Sequence, residues 1–183
     1  LKLLYRSALT LCLFAAAALP ALAQKVRLAT SMGDIVVELD AAKAPKTVDN
    51  FVRYVKAGHY NGVVFHRVID GFMIQTGGYT ADLNEKPTRA PIPLEAANGL
   101  SNVRGSIAMA RTNDPNSATS QFFINVNDNL RLDTAGGGYA VFGKVVEGME
   151  VVDQIRAVPT HPAGVHGNLP DKAVTIKKAS LEN

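Results

Sequence analysis

Residues 63–76 read VVFHRVIDGFMIQT, and this run constrains the fold more than any other part of the chain. Two β-branched and aromatic segments, Val63 to Ile69 and Phe72 to Gln75, flank Asp70-Gly71, the dipeptide favoured in two-residue hairpin turns. The same grammar recurs elsewhere. Val26 to Thr30 and Ile35 to Leu39 alternate apolar and polar residues around Met32-Gly33-Asp34, and Ser106 to Ala110, Gln121 to Val126 and Tyr139 to Val146 read as further short strands. Lys172 to Ser180 alternates again and is expected to be the last strand.

Helical spacing occurs only twice. Pro45 suits a helix first turn, Val48, Phe51, Val52 and Val55 follow on one face, and Gly58 stops the run; Met149 to Val158 forms the second. With no strand-helix-strand alternation, the expected class is mainly β: a closed, eight-stranded antiparallel barrel capped by two α-helices. The long irregular stretches 77–93 and 111–119 are candidates for binding surfaces, because rigid scaffolds carry function on such loops.

The first 23 residues carry a different signal. Lys2 and Arg6 precede an apolar run from Ala8 to Leu19, and Pro20-Ala21-Leu22-Ala23 is a small-residue cleavage site, so an export signal cut before Gln24 is expected. The run is shorter than the ~20 residues needed to span a bilayer. Residues 24–183 then form one domain, expected in the periplasm, with full secretion open and no membrane association after cleavage. Of 19 Lys and Arg, two fall in the signal, leaving 17 against 16 Asp and Glu. A balance so near neutral argues against nucleic-acid binding. Cys12, the one cysteine, also lies in the signal, so stability must come from packing without a disulfide.

The segments FHRVIDGFMIQTGG, GSIAMART, SATSQFFINV and YAVFGKVVEGMEVVDQI, in that order, resemble the cyclophilin family of peptidyl-prolyl cis-trans isomerases from about Val26 to Ala179. With the export signal, the similarity is to the bacterial periplasmic members. The resemblance implies a catalytic arginine at Arg67, oriented by Gln75, and an apolar proline pocket of Phe72, Met73, Phe123 and Leu132. It also implies a second pocket glutamine at Gln121, a main-chain anchor for the peptide at Ala110 and Arg111, and a rim position at Tyr139. Arg111 stands where eukaryotic members often carry asparagine, and its long side chain is expected to bear on peptide preference. Arg131 stands before Leu132 where they often carry tryptophan, which predicts weak cyclosporin binding.

These residue types suit the chemistry. Amide resonance holds the X-Pro bond behind a barrier of ~18 to 20 kcal/mol. At the twisted transition state the prolyl nitrogen gains a lone pair, and a fixed guanidinium aimed there stabilises only that state. No cofactor or metal is expected: His59, His66, His161 and His166 are scattered, without the clustered acidic or thiol partners of a zinc site. Gly136-Gly137-Gly138 lacks the spacing of a phosphate loop and reads as a turn. His66 reads as a structural residue pointing away from the pocket. The sequence therefore points to a monomeric isomerase acting on proline-containing peptides and unfolded exported proteins, with a proline-segment-binding chaperone as the alternative.

Overall fold

The structure is a computed structural model that describes residues 24–182. The expected signal segment, 1–23, lies outside the described residues.

Eleven strands and two helices follow in chain order: β1 (Lys25–Thr30), β2 (Gly33–Leu39), α1 (Pro45–Lys56), β3 (Val63–Val64), β4 (Arg67–Ile69), β5 (Met73–Thr76), β6 (Ser106–Met109), β7 (Phe122–Asn125), β8 (Val141–Glu147), α2 (Met149–Arg156), β9 (Thr160–Ala163), β10 (His166–Pro170) and β11 (Thr175–Glu182). Nine of them form one antiparallel sheet in the order β3-β11-β1-β2-β8-β6-β7-β5-β4. Its two end strands are consecutive pieces of one chain segment, separated only by Phe65 and His66. The Val64 N–H donates to Tyr79 O at 2.9 Å, the Phe65 N–H to Val174 O at 2.9 Å, and Thr76 Oγ1 to Val64 O at 2.9 Å. The covalent chain thus joins the sheet's two edges, and counting 63–69 as one interrupted strand gives the eight-stranded closed barrel that the sequence predicts. Closure leaves few unpaired edges, the main liability of an all-β chain.

Strand alternation sorts the side chains. Ile74, Ile107, Phe122, Ile124 and Phe142 point into the barrel and are fully buried. Met73, Ala108, Phe123 and Val141 form a separate apolar cluster on the outer face. Adjacent phenylalanines 122 and 123 therefore serve two different purposes, one as barrel core and one as pocket wall.

The helices plug opposite mouths. α1 follows the Leu39 end of β2 and inserts Phe51, whose ring centroid lies 5.2 Å from each of Tyr60, Phe122 and Phe142. α2 sits at the other end of β2, where Val151 lies so close to Gly33 that a Cβ there would meet it at 2.7 Å. Both helices stop near their predicted ends, α2 two residues early. The sequence reading does not anticipate the β9–β10 hairpin, which forms its own two-stranded sheet against β4. Nor does it anticipate the short 3₁₀ turns at Leu130–Asp133 and Ala135–Gly137.

Candidate active site

The barrel register builds the site. Arg67 pairs with Gln75, Gln75 with Phe123, Phe123 with Ala108, and Ala108 with Val141, so these five residues form one row across four strand pairs. Side chains in such a row share a face. An exposed Arg67 at one end and the apolar cluster at the other make that row a polar donor beside an apolar floor.

Nine predicted site residues, Arg67, Phe72, Met73, Gln75, Ala110, Arg111, Phe123, Leu132 and Tyr139, line one cavity of about 340 Å³. Met73 and Phe123 are its buried floor, at 1% and 4% exposure. Phe72 and Leu132 are half-buried walls, and the Tyr139 ring meets Phe123 edge-on at 5.8 Å. The tenth, Gln121, does not line the cavity but stands behind Gln75.

A chain of amides orients the guanidinium. Arg67 Nη1 donates to Gln75 Oε1 at 3.3 Å, and Gln75 Nε2 donates to Gln121 Oε1 at 2.9 Å. Gln121 can lie there because residue 78 is glycine: a Cβ on Gly78 would sit 2.7 Å from the Gln121 amide. Gly78→Val is expected to push that amide aside, release Gln75 and lower turnover on an X-Pro peptide about tenfold with thermal stability little changed; turnover equal to the parent's would show that Gln121 plays no part in orienting Arg67.

Beneath the pocket lies an asparagine network that nothing in the sequence marks, since isolated asparagines read as turn residues. Asn129 Nδ2 donates to Phe72 O and to Asn125 Oδ1, each at 2.7 Å. Asn125 Nδ2 donates to Asn102 Oδ1 at 3.1 Å and Ser106 Oγ at 2.9 Å, and both Asn102 donors reach Asp133 Oδ1 at 2.8 Å. Burial alone would raise the Asp133 carboxyl, but these donors outweigh it and hold the group below its ordinary value. The network ties the Phe72 wall to the turn that carries Leu132.

Arg111 does not reach toward the cavity's contents. Its Nη2 donates to Ala135 O at 3.1 Å, Gly136 O at 2.7 Å and Gly138 O at 2.9 Å; its Nε reaches Gly138 O at 3.1 Å and its Nη1 Thr112 O at 2.9 Å. Its guanidinium carbon stands 4.4 Å from the Tyr139 ring centroid. In the three-glycine turn, all at positive φ, Gly136 and Gly138 thus join Ala135 in turning carbonyls toward a cation, the opposite polarity to a loop that cradles phosphate with N–H groups.

His66, beside Arg67, is 4% exposed and packs its ring against Tyr79 at 4.7 Å and His166 at 5.6 Å, away from the residues that line the cavity. Burial first, then the neighbouring His166, pushes it down to about 4 from the ordinary 6.5. Between those values the unfolded chain binds a proton that the native state refuses, so the stability this residue contributes is complete above pH 6.5 and drains as pH falls toward 4. The melting temperature is expected to drop between pH 7 and 4.5, and His66→Phe to flatten that slope; an equally steep slope in the variant would place the acid lability elsewhere.

Residues 25–181 match the sequence model of the family described as cyclophilin type peptidyl-prolyl cis-trans isomerase/CLD. The chain is 55% identical over 161 residues to a peptidyl-prolyl cis-trans isomerase of Streptomyces antibioticus, covering 85% of this chain and 97% of that one. It is 54% identical over 158 residues to peptidyl-prolyl cis-trans isomerase A of Dickeya dadantii, covering 85% and 83%. Among solved structures, a Cryptosporidium parvum cyclophilin type peptidyl-prolyl cis-trans isomerase superposes with a TM-score of 0.75 at 28% identity, covering 88% of this chain and 98% of the other. A second structure of that protein, determined in the presence of the dipeptide Ala-Pro, gives 0.74 at 28% identity, covering 87% and 99%.

Proposed function

The chain belongs to the cyclophilin-type peptidyl-prolyl cis-trans isomerase family, and on that premise we propose that it speeds rotation about X-Pro bonds in exported polypeptides and so assists their folding. The observation that carries the reading is Arg67, held by Gln75 beside a cavity of about 340 Å³ whose floor is Met73 and Phe123.

Uncatalysed exchange takes roughly tens to hundreds of seconds, so millisecond turnover requires about five decades, or roughly 7 kcal/mol off the barrier. No bond is made or broken. Phe72, Met73, Phe123 and Leu132 receive the ring and exclude water, which disfavours the charge-separated planar amide relative to the twisted one. Arg67 then donates toward the prolyl nitrogen as its lone pair appears. Because that acceptor does not exist in the planar ground state, the hydrogen bond is spent on the transition state alone. The anchor is assigned to the main chain at Ala110 and Arg111, both of which line the cavity, and it would hold one side of the bond while the other turns.

Export is the finer part of the proposal, and the motif of residues 1–23 supports it. The test of the activity is NMR exchange spectroscopy on a short X-Pro peptide with substoichiometric protein. Accelerated cis-trans exchange is expected. A folded protein that binds the peptide without accelerating exchange would overturn the isomerase reading and favour the chaperone. Fractionation of cells expressing the full chain tests the export: the expected product is a periplasmic protein beginning at Gln24, and an uncleaved cytoplasmic one would contradict it.

A further inference from the structure

The outer face of the barrel holds a second, larger cavity of about 900 Å³, with Leu39, Leu100, Val103 and Val141 among its lining residues. It is not an isolated hollow. Val141 and Leu100 belong to the same apolar cluster as Met73, Phe123 and Leu132, so the two cavities share one continuous apolar wall. The register places Val141 two strands from Phe123, about 10 Å at the ~4.8 Å spacing of paired strands. Leu100 packs on the shared cluster, Asn98 Nδ2 ties the loop to Val141 O at 2.8 Å, and Asn102 ties it to Asp133.

At the far end Lys144 and Glu38 pair at 3.5 Å and neutralise each other, while Val103 stands on the rim at 41% exposure. Asp40 also lines that end and accepts from the Lys43 N–H at 3.0 Å, so the part suited to an uncharged apolar group is the stretch of Leu39, Leu100, Val103 and Val141.

We propose that this groove binds a large apolar side chain of the same polypeptide whose proline occupies the smaller cavity, four to six residues along the chain from it. The inference rests on the isomerase reading above. An extended chain advances about 3.3 Å per residue, so three residues cover the ~10 Å direct separation and one to three more allow a path that is not straight. The occupant is a segment of substrate because the groove continues the wall on which the proline ring sits. The consequence is a preference for unfolded chains, in which a proline and a distant apolar residue are both exposed, over short proline peptides. The contact is made equally in ground and transition states, so it lowers KM and leaves kcat alone.

The test is a phenylalanine scan on alanine-based peptides with a single X-Pro bond, assayed for KM and kcat by exchange spectroscopy. A phenylalanine four to six residues from proline on one side is expected to lower KM about tenfold, and one two residues away to change nothing. Val103→Asp and Ala42→Trp, both exposed residues of the groove lining, are expected to abolish that gain while isomerising the all-alanine peptide as the parent does. A flat scan, or a gain that survives both substitutions, would overturn the proposal. So would a Val103→Asp protein whose sedimentation mass falls to half the parent's, because the groove would then be covered by a second copy. Failure to isomerise even the all-alanine peptide would instead remove the isomerase reading on which the groove depends.

Discussion

Replacing Arg67 by alanine is expected to lower kcat/KM on an X-Pro peptide about 10²- to 10³-fold, the size of effect seen when one preorganised donor to a developing charge is removed, or roughly 3 to 4 kcal/mol. The fold should survive, because Arg67 is exposed and its only side-chain bond among the described residues is the 3.3 Å contact to Gln75. The loss should fall on kcat rather than KM, since the prolyl nitrogen accepts only once the amide has twisted. Arg67→Lys is expected to recover little: a lysine keeps the charge but not the plane that Gln75 orients. Gln75→Ala should give a smaller loss in the same parameter. If Arg67→Ala kept full turnover with an intact fold, the donor mechanism would be wrong and the apolar pocket would have to supply all of the catalysis. Measuring peptide affinity in the same variant separates catalysis from grip, because a binding module would lose affinity and not turnover.

The site was legible in the sequence through its motifs: Arg67, Gln75 and the pocket residues follow from the resemblance to the cyclophilin family, whereas strand periodicity alone leaves an arginine on a strand as a solvated side chain and an apolar residue as core. Arg67 lies three residues before Asp70 but Gln75 four after Gly71, so the two-residue turn expected from Asp70-Gly71 would have set Arg67 opposite Ile74; the connection is instead three residues long, Asp70 to Phe72, and that one-residue shift is what brings Gln75 opposite Arg67. Alternation alone would have let Phe123 be core as readily as pocket; the structure places it in the apolar cluster outside the barrel. What periodicity cannot supply is direction for a long side chain or a partner for a buried polar one. Arg111 could be expected at the rim, and its length suggested contact with peptide; the guanidinium instead turns back onto the carbonyls of 135–138. Asn102 and Asn125, each fully buried, carry no sequence mark that separates them from turn asparagines. The β9–β10 hairpin was hidden for another reason. Its strands contain Pro162 and Pro170 and bury only Pro170, so they lack the apolar alternation of a strand packed on a core. Yet this hairpin supplies His166, which closes the ring cluster around His66.

The Arg111 geometry leads to the second large effect. One guanidinium serves four main-chain carbonyls and stacks on Tyr139. The loop it gathers has three consecutive glycines at positive φ, and a glycine backbone left free gains more entropy than any other. The loop's own bonds are short-range: the Gly137 N–H to Thr134 O at 3.2 Å, the Gly138 N–H to Ala135 O at 3.0 Å and the Tyr139 N–H to Leu132 O at 2.9 Å. Arg111 is thus the tie that gathers the 135–138 carbonyls onto the barrel strand ending at Met109, alongside the Asn102 bonds to Asp133 and Tyr139 O at the ends of the loop, and it acts as a positioning residue for Leu132 and Tyr139. Arg111→Ala returns the carbonyls to water, so the net cost is well below the sum of its bonds, about 2 kcal/mol. If that cost is paid when substrate orders the rim, kcat/KM falls about 30-fold, carried by KM, with kcat nearly unchanged once peptide is saturating. Arg111→Lys should resemble the alanine variant, because one ammonium cannot bridge carbonyls that the planar fork spans. Amide exchange at residues 132–139 should accelerate in both variants while the β6 and β7 amides stay protected. A fall in kcat with KM unchanged would contradict this assignment, and would mean that residue 111 reaches the reacting bond rather than the wall beside it.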